Sequence, residues 1–458
     1  MTELDKIITD FCEREEKAGC YECEVAGIKV YNLIRFKIRN TYLKSKGFNF
    51  VENYKGANYF EVLKSLVKST FQLSKIWFGK KKYATLFYPF LRLDCVNGLY
   101  LDKFTDPIID VCKLDNYIIF ERGRRGLHFI PRIHQSKVVY TNLLDYIIVV
   151  LAKINYKWFV RQYKEEFDRL FLSIDSIMDG VTYNREYLCN RILCSIYTIR
   201  IYEKLLRRLE VKKIFAPSRN NITSLMYVGR KNNITVYEYQ HGITYGETAL
   251  YSGRRERDFI PEYFLAFGNT PPMNVYGIDE SRIYNIGWAF QDYLDNIYAG
   301  TDVSENDVLV ISGPCLTDKI LDATIRLAKM FPTIQFVVRP HPAEVVTDAH
   351  RALTTKYPNI SWQDPKVNVA VAMKQYNHLI GENSTVLYEA LTYGKKVARI
   401  CFDGFSPRYL TPEDEECFWK VSDKASFEAF INGKVEDKRS MKIYSKFDKE
   451  LFLKLYNA

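Results

Sequence analysis

The chain has 458 residues, 47% of them hydrophobic and 26% charged, a balance that fits two or three folded domains and excludes a disordered chain. No run of about 18 uncharged apolar residues occurs, so no membrane span is expected. The net charge of +10 is unevenly placed: between Lys29 and Lys82 thirteen Lys/Arg face only Glu52 and Glu61, a local balance of +11. Aromatics such as Tyr31, Phe36, Phe60, Phe71 and Trp77 interleave those cations. A basic, aromatic surface suits the anionic inner leaflet of a membrane, and no nucleic-acid motif accompanies it, so no nucleic-acid partner is expected. The opening Met1-Thr-Glu-Leu-Asp-Lys lacks an apolar signal core, so a cytoplasmic location, peripheral to the membrane, is the expectation.

In chain order, residues 1–28 are acidic and read as helix. Tyr83-Ala-Thr-Leu-Phe-Tyr-Pro and Tyr117-Ile-Ile-Phe-Glu are apolar runs of strand length. Between them lies a loop carrying Asp102 and Asp106. Residues 141–179 and 185–210 repeat apolar positions at three- and four-residue steps, which predicts two long helices broken near Gly180 and Asn184. A β-α-β follows, with strands at 213–217 and 234–239, a helix at 222–230, and His241 at the end of the last strand. A further α/β unit begins near 263, with strands at 263–268 and 283–292. The polar stretch 293–306 is expected to be a hinge. Beyond it, 308–314 reads as strand then loop, and helices and strands alternate to 401, with helices again at 425–458. Such alternation predicts an α/β fold with parallel sheets covered on both faces. The expected domains are 1–295, 296–425 and a helical tail, 426–458, packing back across the cleft between them. Ten cysteines are scattered, with Cys20 and Cys23 as an isolated C-x-x-C, so reduced structural thiols and no metal site are expected.

Three motifs carry the chemistry. The first is Tyr239-Gln240-His241-Gly242, where the glycine allows a sharp turn or a close ligand. His241 is a candidate general base or orienting donor, with Glu247 in the polar loop after it and Asp102 as an alternative acid. The second is Arg339-Pro340-His341-Pro342, in which two prolines pin a histidine at a strand end, where it can meet a phosphate or leaving group. The third is Gly381-Glu382-Asn383-Ser384-Thr385, a tight turn and helix cap that aims backbone N–H groups at an anion. Glu389, just inside that helix, can accept from ribose hydroxyls or complement the helix dipole. Ser312-Gly313 is a short loop able to pass near phosphates. His128, His134, His350 and His378 lack comparable settings and read as structural.

With these motifs in this order across about residues 200–402, the chain resembles bacterial capsule and lipopolysaccharide glycosyltransferases of the GT-B architecture. It is similar in its His-Pro and Ser-Thr elements to sialyl- and Kdo-type transferases, and in its His-Gly and His-Pro pair to teichoic-acid glycerophosphotransferases. The resemblance implies two Rossmann-like domains facing a cleft. Residues 296–425 would bind a nucleotide-sugar donor through Ser312, Gly313, Arg339, His341, Glu382, Asn383, Ser384, Thr385 and Glu389. Residues 1–295 would bind the acceptor, a lipid-linked glycan, with catalysis by His241, Glu247 or Asp102. It also implies a metal-independent, cofactor-free reaction, in which basic groups and a helix end stabilise the leaving phosphate. Alternatives are a CDP-polyol phosphotransferase, a sugar-nucleotide 2-epimerase of the same architecture, and a non-catalytic scaffold of the assembly machinery.

Overall fold

A computed structural model describes residues 3–48, 59–90, 93–123, 128–242, 251–254, 256–268, 277–297, 303–313, 317–341, 344, 346–364, 367–382, 384–402, 418–433 and 444–458. The chain divides into two compact units, the first running through Ala266 and resuming up to Tyr284, the second holding Asn285–Ala458 and Phe267.

The first unit carries seven strands: β1 (Thr85–Phe87), β2 (Tyr117–Glu121), β3 (Val138–Tyr140), β4 (Lys213–Pro217), β5 (Thr235–Tyr239), β6 (Tyr263–Ala266) and β7 (Ile283–Asn285). They form a parallel sheet in the order β3-β2-β1-β4-β5-β6-β7. Ile214, Phe215 and Ala216 are all fully buried, as expected of a strand covered on both faces. Around the sheet lie α1 (Glu3–Lys17), α2 (Tyr31–Ser45), α3 (Tyr59–Phe78), α4 (Asp106–Cys112), α5 (Asn142–Gln162), α6 (Lys164–Met178), α7 (Arg185–Leu209) and α8 (Thr223–Lys231). Ile192, Ile196 and Leu205 of α7 pack into one core with Ile214 and Val236.

Four expectations are corrected here. The helix expected over 141–179 is two helices, because Tyr163 leaves helical geometry (φ −111°, ψ 32°) with its ring against Phe159. The apolar period runs on through the break, so the pattern conceals it. The loop around Asp102 is ordered: Asp94–Val96 and Leu99–Leu101 pair as a hairpin, and Asp106 opens α4 with Pro107 in its first turn. The N-terminal helix stops at Lys17, and a small hairpin, Glu24–Val25 with Ile28–Lys29, follows. Finally, 263–266 and 283–285 extend the first sheet instead of starting a new one.

The basic aromatic region is not one surface. α2 turns inward, burying Tyr31, Ile34, Ile38 and Tyr42. Its Arg35 holds both oxygens of the fully buried Glu15 at 2.8 Å, and the Tyr21 and Tyr31 hydroxyls donate to the same carboxylate. Among the described residues of the region, it is α3, the second half, that turns large apolar side chains outward along its length.

The second unit holds β8 (Ser304–Ile311), β9 (Phe336–Arg339), β10 (Ile360–Trp362), β11 (Tyr376–Gly381), β12 (Lys396–Ile400) and β13 (Trp419–Val421). Their parallel order is β10-β9-β8-β11-β12-β13. The helices are α9 (Ala289–Ile297), α10 (Thr317–Met330), α11 (Asp348–Thr354), α12 (Val369–Gln375), α13 (Thr385–Thr392), α14 (Lys424–Asn432) and α15 (Lys449–Asn457). The segment before α15 is pinned within this unit. Ser445 N–H donates to Phe267 O at 2.7 Å, and Gly287 lies so close that a Cβ there would sit 2.1 Å from the Lys446 carbonyl oxygen.

Candidate functional site

Each sheet reverses its strand order at one place, between β8 and β11 in the second unit and between β1 and β4 in the first. Ligands of open α/β sheets bind outside the carboxyl ends of the strands at such a point.

In the second unit three loops leave the carboxyl ends of adjacent strands: Ser312-Gly313 after β8, Pro340-His341 after β9, and Glu382 to Ser384 after β11. The three motifs of this half-site, far apart in sequence, therefore converge. Gly381 makes the convergence possible, because a Cβ there would lie 2.9 Å from the Ile311 carbonyl oxygen. Glu344 braces it. One of its carboxylate oxygens accepts from the Ser312 hydroxyl at 2.7 Å and from the Thr317 hydroxyl, and the other accepts from the His341 N–H at 2.7 Å. The Glu344 N–H donates back to the His341 carbonyl at 2.8 Å. Ser384 caps α13, accepting from the Val386 N–H at 3.3 Å, with Thr385 exposed at the first turn and Glu389 buried one turn later. Arg339 donates to Gln363 Oε1 at 2.6 Å and to the Val367 carbonyl at 2.9 Å, so its guanidinium braces the segment after β10. Glu382 is buried beside the turn. Asn383 lies outside the described residues.

Two residues here escaped the sequence reading. Glu344 stands three residues after His341, a spacing that signals a carboxylate folding back on the loop. Arg399 of β12, in register with Gly381, is 1% exposed. It donates to the Tyr388 hydroxyl at 2.6 Å and lies 4.8 Å from the Phe418 ring. Its Nε and Nη1 have no partner among the described residues.

In the first unit His241 follows β5 after the buried Gln240, whose side-chain amide donates to the Gly242 carbonyl at 3.2 Å. The imidazole packs against two rings that also touch each other, Phe90 at 4.3 Å centroid to centroid and Phe104 at 5.7 Å, with Phe90 and Phe104 6.5 Å apart. Asp102 stands behind those rings. It is fully buried, accepting the Phe90 N–H on one oxygen at 3.3 Å and the Thr105 N–H on the other at 3.0 Å. It thus fixes the two segments that carry the rings. Burial, and then the neighbouring Asp106 carboxylate, push its carboxyl up to about 7. Asp106 and Glu121 share the buried Arg132 guanidinium. Glu247 lies outside the described residues.

A pocket of about 360 Å³ opens where this sheet reverses. Tyr88 reaches it from the end of β1, Arg122 from the end of β2, and Asn220 to Leu225 from the start of α8. Lys37 and Arg191 add positive charge, and Asp145 pairs with Arg122 at 3.1 Å. The walls come from α2, α5 and α7, elements scattered over the first 225 residues, so no local motif announces the pocket. Among the described residues no group of three or more His, Cys, Asp or Glu is placed to hold a metal ion.

No protein-family model matches this sequence, and no curated protein matches it by sequence. Solved structures do resemble the fold. The UDP-GlcNAc 2-epimerase from Methanocaldococcus jannaschii is 13% identical, with 82% of this chain and 99% of that chain covered and a TM-score of 0.50. S. aureus MnaA solved with UDP is 10% identical over 82% of this chain and 95% of its own, at 0.48. The lipopolysaccharide outer core galactosyltransferase WaaB is 12% identical over 81% and 98%, at 0.42. At such identities the likeness is one of fold: two parallel Rossmann-like sheets, of seven and six strands, in a GT-B-like chain.

Proposed function

We propose that this protein acts on a nucleotide sugar, transferring the sugar to a growing cell-surface glycan carried on a lipid. The convergence of Ser312-Gly313, His341 and the Ser384-capped helix at the reversal point of the second sheet carries this reading. A capped helix start, a Ser-Gly loop and a histidine-bearing loop meet there, which is the equipment for a diphosphate. In the reaction, an acceptor hydroxyl oxygen bonds to the anomeric carbon as the bond from that carbon to the phosphate oxygen breaks. His241 is proposed to take the hydroxyl proton, or Glu247 in the loop after it. The nucleotide leaves with the bonding electron pair, its new charge met by His341 and the α13 N–H groups. Glu389 receives the ribose. Arg339 and Asp102 act as positioning residues, the first through the β10 segment and the second through Phe90 and Phe104.

A second reading is a sugar-nucleotide 2-epimerase, favoured by the fold likeness to the Methanocaldococcus jannaschii epimerase. One experiment bears on both. Purified protein is melted with CMP, CDP, UDP, GDP and their sugar conjugates, since a ligand of the folded state raises the melting temperature. Stabilisation by one nucleotide, lost in His341→Ala and Ser384→Ala, is expected. No shift with any nucleotide would sink both readings. Conversion of the stabilising nucleotide sugar to its 2-epimer, with no acceptor present, would replace the transferase by the epimerase.

A further inference from the structure

α3 is amphipathic with its faces reversed. Its inward face carries polar side chains that serve the edge strand β3. Gln72 donates to the Val138 carbonyl at 3.0 Å and accepts from the Tyr140 N–H at 2.9 Å, as a neighbouring strand would. Ser69 donates to the Tyr140 carbonyl at 2.5 Å and accepts from the Leu143 N–H, and Ser65 accepts from Asn142 at 2.7 Å. Leu73 and Ile76 also turn inward, into the core, but the sheet edge claims the rest of that face for polar groups and the other large apolar residues point outward. At roughly 100° per residue, Phe60, Val67, Phe71 and Phe78 fall within about 20° of one line. Phe71 is 62% exposed and Phe78 80%. A water-facing helix normally presents the opposite pattern.

α5, which packs against α3, continues the surface. Its Ile154 is 72% exposed and its Trp158 61%, with Tyr146 and Val150 on the turns before them. Exposed apolar area on this scale marks an interaction surface. Among the described side chains of α3 and of the exposed stretch of α5, the charges have one sign. Lys64 and Lys75 lie over the Phe60 and Phe71 rings at 4.5 and 4.3 Å, Lys153 and Lys157 alternate with the exposed residues of α5, and Lys80, Lys81 and Lys82 follow α3. The acid near the start of α5, Asp145, is paired with Arg122. No helix among the described residues is long and apolar enough to cross a membrane. Aromatic rings and branched aliphatics ringed by lysines match a headgroup layer, in which rings sit among acyl chains and cations meet anionic lipid.

We propose that the joined outer faces of α3 and α5 dock this protein onto an anionic lipid surface. The docking does not depend on which reaction the second unit performs. It also moves the contact from the whole basic region, whose first half is core, to one face built partly from residues 80 positions further on.

The test is sedimentation of the full chain with vesicles of phosphatidylcholine alone or with about a third phosphatidylglycerol, at low and high salt. One variant carries F60S, F71S, I154S and W158S; another carries K64Q, K75Q, K153Q and K157Q. These side chains are exposed, and circular dichroism and the melting temperature confirm folding. Met330→Ser, an exposed apolar residue of the second unit, is the control. We expect binding to the anionic vesicles that weakens with salt, a tenfold or greater loss in both variants, and none in the control. The nucleotide-induced shift is expected unchanged in all, so failure of docking and failure of the nucleotide reading are separately visible. Absence of vesicle binding by the native chain, full binding by the serine variant, or a dimer in solution that the serine variant dissociates would each overturn the proposal.

Discussion

The two carboxyl edges rest on the same strand order yet are built by opposite means. In the second unit the edge is made of short loops held by one carboxylate, Glu344, and one missing side chain, at Gly381. Backbone does most of the holding. In the first unit the edge is made of side chains: His241 against two phenylalanine rings, Asp102 and Arg132 in the buried layer behind, and a charged pocket walled by three helices. A backbone-built edge suits a fixed ligand part such as a diphosphate, because N–H positions are set by the sheet. A side-chain-built edge can be reshaped by substitution, which suits the part of the reaction that varies.

If the first edge depends on buried charge, its loss is the largest effect. Arg132→Leu leaves Asp106 and Glu121 buried without their cation and is expected to destabilise the protein by about 3–5 kcal/mol. The urea midpoint measures this, and adding D106N and E121Q is expected to recover much of the loss. A change in midpoint no larger than that of a surface variant would remove the contrast between the edges. The second edge is tested by Gly381→Val. Its Cβ would meet Ile311 O at 2.9 Å and Leu387 Cδ1 at 3.3 Å, forcing β8 and the start of α13 apart. Overpacking of this kind costs about 1–3 kcal/mol, and here it is also expected to abolish nucleotide stabilisation. A destabilised variant that keeps the full nucleotide shift would separate the ligand from this turn.

The same contrast decides what could be read in advance. Several of the second unit's elements were legible nearly to the residue, as in the helix at 317–330, because each is a local apolar run ended by a local signal, but helix α9 lies where the end of a strand and a hinge were expected, and α11 was not foreseen. Two of that unit's motif residues were legible for the same reason, since Pro340 and Ser384 act on their own backbone, whereas the need for Gly381 comes from its approach to Ile311. Short elements escaped: β3, β10 and β13 have three residues each, too few for a period. In the first unit the strands other than β3 were visible, but the break at Tyr163, the inward turn of α2 and the outward apolar face of α3 were not. The inward turn of α2 and the outward face of α3 are decided by tertiary partners, Glu15 and β3, which no neighbouring residue announces, and the break at Tyr163 is hidden by an apolar period that runs through it. His241 could be chosen from its Gly242, whereas Phe90, Phe104 and the switch-point pocket required the fold.

The smallest effect gives the sharpest version of the comparison, because two buried groups, one in each unit, are expected to respond to acid with opposite signs. Asp102 is held at about 7, first by burial and then by Asp106, against about 3.9 in an unfolded chain. Between those values the folded state keeps a proton that the unfolded chain has lost. Its contribution is therefore fully present below about pH 4 and disappears as pH rises to 7. His378 of β11 is held at about 4, first by burial and then by Lys396, against about 6.5 when unfolded. Below 6.5 the unfolded chain gains a proton that the folded state refuses, so the contribution of His378 is present above 6.5 and lost as pH falls toward 4. Urea midpoints at pH 5 and 7.5 separate the two. From pH 5 to 7.5, the stability of the native chain relative to Asp102→Asn is expected to fall, and its stability relative to His378→Gln to rise. Changes of the same sign would mean that Asp102 titrates like an ordinary carboxylate. Burial behind Phe90 and Phe104 would then not set the proton on the layer that supports His241.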